Sequence, residues 1–352
     1  MGLSLAIVGL PNVGKSSLFN LLTKTKAEAS NYPFCTIDPN VGIVEVPDER
    51  LTALTEISKS QKTIPTAIEF VDVAGLVKGA HKGEGLGNQF LANIRECDAI
   101  CEVIRDFQDE NIIHVTGKIN PQEDRETINL ELIFADLSTI SKRMEKAQKE
   151  TKTGDKEKIA FFELLQKLKT NLENGVAIRD VELSEKEEEI IKQLNLLTIK
   201  PILYIVNTDS PEKYQNKNEE NTLAINVKIE QEIVDLPPSE QEEFLKELNM
   251  GTSGLNKLIK ASYSLLNLET FLTTGPEESR AWTIKKGATA PEAASVIHTD
   301  FQKHFIRVEI INWKDLINAG SEKNAKEQGL IRTEGKDYIV KDGDVCHFLI
   351  NK

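Results

Sequence analysis

Gly9-Leu10-Pro11-Asn12-Val13-Gly14-Lys15-Ser16 decides the fold. The stretch fits the pattern G-x-x-x-x-G-K-[ST] without a gap. It follows the apolar run Leu3-Ser4-Leu5-Ala6-Ile7-Val8, which reads as a buried strand. It precedes Ser17-Leu18-Phe19-Asn20-Leu21-Leu22, which reads as the opening turns of a helix. A glycine loop in that setting turns successive backbone N–H groups inward around a polyphosphate, at the positive end of the helix dipole. Lys15 is then expected to reach the β- and γ-phosphates, and the Ser16 hydroxyl to sit on Mg²⁺.

Outward from this loop, Asn31-Tyr32-Pro33-Phe34-Cys35-Thr36 reads as a switch loop. Its Thr36 would sense the γ-phosphate and complete the Mg²⁺ shell. Glu69-Phe70-Val71-Asp72 ends a strand in an aspartate and continues Val73-Ala74-Gly75, the pattern D-x-x-G. Asp72 would hold Mg²⁺ through water, and the Gly75 N–H would bond the γ-phosphate. Leu76 stands where many GTPases place a glutamine that orients the attacking water, and leucine cannot hydrogen-bond water. Turnover is therefore expected to be slow or to use another group, for which His81 and His114 are candidates. The glycines 79, 83, 85 and 87 make the stretch after Leu76 a flexible loop.

The base-reading motif departs from the GTPase pattern N-K-x-D. The strand Pro201–Val206 runs into Asn207-Thr208-Asp209-Ser210, so threonine replaces lysine and serine replaces the aspartate that accepts from guanine. Asp209 is one residue early. Without the acceptor, guanine preference should fall, and adenine becomes the expected base, with Asn207 reading its edge. Asn12, fourth in the phosphate loop, can help coordinate K⁺ beside the phosphates.

The chain alternates strands and helices over residues 1–117, with strands at Leu3–Val8, Gly42–Val46, Ala67–Asp72 and Ala99–Arg105. Glu- and Lys-rich helical sequence follows. Leu130, Ile133, Leu137, Ile140 and Met144, then Phe161, Leu164, Leu165 and Leu168, recur at helical spacing. They predict two long helices paired as an antiparallel coiled coil, inserted at residues 118–199. The α/β pattern returns at residues 200–274. Short strands between glycine turns then make residues 275–352 a small mixed domain. The charge of −13 argues against a whole-chain grip on nucleic acid but allows a local basic patch. Arg280, Lys285, Lys286, Lys303 and Arg307 could contact phosphates or form a solvated face. Cys35, Cys97, Cys101 and Cys346 form no C-x-x-C pair and read as reduced, buried thiols. No apolar run approaches the ~20 residues that cross a bilayer, and no signal-peptide pattern opens the chain, so a soluble cytoplasmic protein is expected.

These residues resemble the YchF-type, Obg-related P-loop ATPases of the translation-factor class, over nearly the whole chain. The phosphate-loop run, Asn31 to Asn40 and Asp72 to Ala80 carry the resemblance. Arg280-Ala281-Trp282-Thr283-Ile284 and Ile297-His298-Thr299-Asp300-Phe301 resemble that family's TGS domain, a ubiquitin-like β-grasp module. The resemblance implies an α/β P-loop NTPase domain with a coiled-coil insertion and a C-terminal β-grasp domain. It implies ATP favoured over GTP, nucleotide contacts from Asn12, Val13, Gly14, Lys15, Ser16, Ser17, Asn207 and Thr208, and Mg²⁺ ligands Ser16 and Thr36. It further implies a monomer that associates with the large ribosomal subunit and with rRNA or tRNA. Ser210 replaces the family's usual glutamate, and Ser295 and His304 replace glycines of the TGS stretch. Two other readings stay open: a conventional GTPase, and a nucleotide-stabilised scaffold with little turnover.

Overall fold

The computed structural model describes residues 3–24, 39–73, 86–115, 117–214 and 219–351. β1 (Ser4–Gly9) is buried along its whole length, as inner strands of parallel sheets are. The glycine loop leads into α1 (Lys15–Lys24), which buries Leu18, Phe19, Leu21 and Leu22. Next come β2 (Val41–Glu45), α2 (Glu49–Ser58), β3 (Lys62–Ile64), β4 (Ala67–Asp72), α3 (Leu86–Glu96) and β5 (Ala99–Asp106). A helical excursion follows: α4 (Pro121–Glu150), α5 (Lys156–Glu173) and α6 (Glu185–Lys192). The chain then returns through β6 (Ile202–Thr208), β7 (Thr222–Ile225), α7 (Val227–Asp235), α8 (Pro238–Glu247) and α9 (Gly254–Leu265). The first sheet has the order β2-β4-β1-β5-β6-β7. Only β2 runs antiparallel to its neighbour.

α4 is capped by Asn120, which accepts from the Glu123 N–H, and starts with Pro121, whose missing N–H is no loss at that position. Its early turns bury Ile128, Leu132 and Ala135 in the core of the first sheet. Farther along, Ile133, Leu137, Ile140, Met144 and Ala147 repeat at alternating four and three residues. They pack on Phe161, Leu165, Leu168 and Leu172 of α5. The helical excursion is therefore rooted inside the nucleotide domain instead of starting at a clean boundary at residue 118. Leu130 is corrected: it is 44% exposed, because the early turns of α4 point a different face at the sheet.

The second sheet is built from β8 (Leu268–Thr274), β9 (Glu278–Lys285), β10 (Phe305–Asn312), β11 (Arg332–Glu334) and β12 (Asp344–Ile350). Helices α10 (Ala290–Ile297), α11 (Thr299–Lys303), α12 (Trp313–Ala319) and α13 (Glu322–Glu327) connect them. The order is β11-β10-β12-β8-β9-β3. Residues 268–274, expected to close the nucleotide domain, belong here, because β8 pairs with β9 along its length. β3 also belongs here, added parallel to β9 from within the first domain. Cys97, Cys101 and Cys346 are buried free thiols; burial pushes Cys97 up to about 11 and Cys101 to about 12. Among the described residues, no helix is long and apolar enough to cross a membrane.

Candidate nucleotide-binding site

The ends of β1, β4, β5 and β6 open onto a cavity of about 1150 Å³, lined by Asn12, Gly14, Lys15, Ser16, Ser17 and Asp72 at one end. Phe107, Gln108, Asp109, Asn207, Asp209 and Asn226 line the remainder. Gly14 takes φ +94°, and a Cβ there would stand 2.4 Å from Asn207 Nδ2, so glycine is required on both counts. That closeness has a purpose. Asn207 Nδ2 donates to the Val13 carbonyl at 3.0 Å, and its Oδ1 accepts from the Val227 N–H at 3.2 Å. The buried asparagine thus ties the phosphate loop to the start of α7. One N–H and one lone pair of its amide are already engaged, which narrows its expected role as a base reader.

Lys15 Nζ forms an ion pair with Asp72 Oδ1, so the cation assigned to the phosphates and the carboxylate assigned to Mg²⁺ share one spot. The Ser16 hydroxyl and the Asp72 carboxylate are hard oxygen donors, suited to Mg²⁺. Among the described residues, no group of three or more His, Cys, Asp or Glu could hold a metal. A cation here would therefore lean on phosphate oxygens and water. Asn12 takes φ +66° and donates through Nδ2 to the Ile113 carbonyl at 3.0 Å. Thr36, Gly75, Leu76 and His81 lie outside the described residues.

The structure places two of the expected site residues away from the cavity lining. The Thr208 side chain is buried and donates to Asp106 Oδ2 at 3.2 Å, so it braces two strands and does not line the cavity. Asp106 accepts from Tyr214 as well, at 2.8 Å. His114 is also away from the cavity: its ring is buried, with Nε2 2.9 Å from Asp124 Oδ2 in the first turn of α4. Any contact with phosphates requires that bond to open. At the base end, Asp209 does line the cavity, and its Oδ2 accepts from the Gln108 N–H at 3.2 Å. Ser210 does not line it; its N–H is held by the Thr208 hydroxyl.

Arg105 was missed by sequence reasoning. It is 1% exposed at the end of β5 and donates to the carbonyls of Phe107, Ile112 and Asp109 at 3.1, 3.0 and 3.4 Å. Its guanidinium also lies 4.3 Å from the Phe107 ring centre. It holds in shape a cavity-lining loop that is itself hydrogen-bonded to the phosphate loop through Asn12 and Ile113. The available signal was an arginine near the end of a mostly apolar strand, a charge that burial requires to be spent on acceptors.

Comparisons with known proteins show the family of the chain. A family model described as 50S ribosome-binding GTPase matches residues 4–135, which include the phosphate loop, Asp72 and the root of α4. The model of the YchF GTPase C-terminal region, described as a protein of unknown function (DUF933), matches residues 268–351, beginning at β8. The ribosome-binding ATPase YchF of Bacillus subtilis is 53% identical over the full length of both chains. That of Escherichia coli O157:H7 is 51% identical, again over both full lengths. The solved structure of the Schizosaccharomyces pombe YchF GTPase superposes with a TM-score of 0.87 at 37% identity, covering 99% of this chain and 98% of that one. With more than half of its residues identical to these relatives over the full length of both chains, and the same fold as the solved one, the chain belongs to the YchF family.

Proposed function

We propose that this chain is a ribosome-binding ATPase that works as a slow, Mg²⁺-dependent nucleotide switch. The observation that carries the reading is the cavity itself. It joins a phosphate loop and the Lys15–Asp72 pair to a base end where Ser210 leaves the guanine acceptor position unfilled. Lys15 and the backbone of residues 12–17 bind the phosphates. Ser16, Thr36 and Asp72 would hold Mg²⁺, which would supply neutralisation of the charge on the phosphate oxygens. Gly75 reports the γ-phosphate. Asn207 keeps the loop in register, and the backbone at Thr208 contributes the base-side contact. Asn12, with its amide nitrogen held by Ile113, has Oδ1 left to ligate K⁺. His114 remains the candidate for orienting water once it leaves Asp124, which suits slow turnover.

The alternating four–three spacing in α4 and α5 supports the coiled-coil reading of the insertion. The strand order, with β8 and β12 central and parallel, supports a β-grasp (TGS) domain. Large-subunit and rRNA or tRNA partners, a monomeric state and a cytoplasmic setting complete the proposal. One observation favours a second reading, a GTPase: Asp209 sits in the cavity and retains an oxygen that could accept from guanine. Competition of unlabelled ATP and GTP against a fluorescent ATP analogue, on nucleotide-free protein with Mg²⁺, separates them. ATP winning by tenfold, about 1.4 kcal/mol, supports the ATPase. GTP winning transfers the base contact to Asp209, and Asp209→Ala would then abolish the preference.

A further inference from the structure

A second cavity, of about 1030 Å³, lies between α4, α5 and α6, away from the nucleotide. Lys142, Arg143 and Lys146 face it from α4 and Lys186 from α6, against the single carboxylate of Glu157. Among the described residues, none of these four cations has an ion-pair partner, although Glu145 and Glu150 stand within a turn of them on α4. Lys142 and Lys146 are four residues apart, a like-charge spacing that weakens a helix. Lys186, Ile190 and Gln193 share one face of α6, while Glu185, Glu188 and Glu189 do not line the cavity. The floor is aromatic and apolar. The Arg143 guanidinium carbon lies 5.2 Å from the Phe161 ring centre, beside Ile190, which is 39% exposed.

We infer that this cavity is a binding site for a single-stranded RNA segment. Lysines on opposite walls suit a chain of phosphates, and a flat guanidinium–phenyl platform suits a base stacked between them. An acidic peptide would use the cations but leave the platform idle. The cluster is local: four cations face one carboxylate here, against the overall charge of −13. The inference takes from the ribosome reading only the choice of RNA as the polyanion and needs nothing from the nucleotide site.

The test is fluorescence anisotropy of the full chain with an end-labelled twelve-nucleotide uridine RNA across a series of KCl concentrations. The triple variant Lys142→Ala/Lys146→Ala/Lys186→Ala should bind at least tenfold more weakly. Its slope of log affinity against log salt should shrink by about two, near 0.7 for each lost phosphate contact. Phe161→Leu, which keeps the helical core filled, should weaken binding about threefold or more and leave the slope unchanged. Affinity for the fluorescent ATP analogue and helix content by circular dichroism should match the parent, which shows that the variants are folded. The proposal is overturned if the parent does not bind the RNA, if the triple variant binds as the parent does, or if poly-glutamate displaces the RNA at equal charge concentration. Ribosome sedimentation is read separately. A chain that binds RNA as described yet never pellets with ribosomes upholds this site and breaks the ribosome reading alone.

Discussion

The nucleotide domain is joined to its two neighbours by different mixtures of apolar and polar contact. Toward the C-terminal sheet the joint is apolar and continuous. Leu51 and Leu54 of α2 share a core with Leu272, Ala281, Ile311 and Leu316, and β3 extends the sheet itself. Arg50 closes the seam, reaching Asp48 at 2.8 Å and Asp342 at 2.5 Å. Toward the helical excursion the apolar root of α4, Ile128, Leu132 and Ala135, is joined by buried polar groups. Among the described residues, both oxygens of the fully buried Glu102 and one terminal nitrogen of Arg179 have no hydrogen-bond partner. Arg125 lies 3.5 Å over the Tyr204 ring, and Asn129 donates to the Tyr204 hydroxyl at 3.3 Å. Asp136 holds the return of the chain through the N–H groups of Leu197 and Thr198. Close-packed apolar seams have one good arrangement, whereas a buried polar group without a partner is costly where it stands and gains from a shift that supplies one. The comparison assigns rigidity to the C-terminal joint and adjustability to the helical one. It also puts the adjustable joint one residue from the phosphate loop's contact, through Ile113 and His114.

The largest expected effect tests the rigid joint. Leu54→Ala, at a position with no exposure, should lower stability by about 2–4 kcal/mol in urea unfolding. The nucleotide and C-terminal domains should still unfold in one transition; two transitions, only one of them shifted, would break the comparison. Next, Asn207→Ala removes two buried hydrogen bonds and should weaken ATP-analogue binding by roughly tenfold or more, measured by titration, while leaving both joints intact.

A smaller effect tests the helical joint. Burial pushes the Glu102 carboxyl well above the ordinary 4.5, so the folded chain retains a proton that the unfolded chain has released. Stability from this group is fully present below 4.5 and declines as pH rises toward the folded value. Glu102→Gln should therefore gain about 1–2 kcal/mol at pH 8 and little at pH 5, read from chemical unfolding at both. An equal gain at both pH values would mean that Glu102 is ionised in the fold. The smallest expected change is that of Asp124→Asn, which loosens His114. Stability should fall by about 1 kcal/mol, and ATP turnover should rise up to a few-fold if the bond to Asp124 restrains His114. A fall in turnover would show that Asp124 assists the reaction instead.

The legibility of these features in the sequence follows the range of the forces involved. The phosphate loop, the strands around it and the two long helices are local patterns and were readable as such. β3 was not, because Lys62-Thr63-Ile64 has two exposed residues and becomes a strand only by joining β9, more than two hundred residues away. The start of β8 was hidden because only the cap Leu266 and the left-handed Asn267, φ +56°, separate it from the end of α9 at Leu265. At the site, Lys15, Ser16 and Asp72 were legible from motif spacing. The inward turn of Thr208 and the loop-shaping of Arg105 depend on neighbouring strands, which no local pattern encodes.

The placement of β3 also has a consequence for handling pieces of this molecule. By covering β9, it hides a row of backbone donors and acceptors that would otherwise form an open sheet edge. A fragment cut at the residue where β8 begins would leave that row bare. Such a fragment should self-associate edge to edge, and grafting Gln61 to Ile64 back onto it as a short tethered strand should restore a monodisperse species.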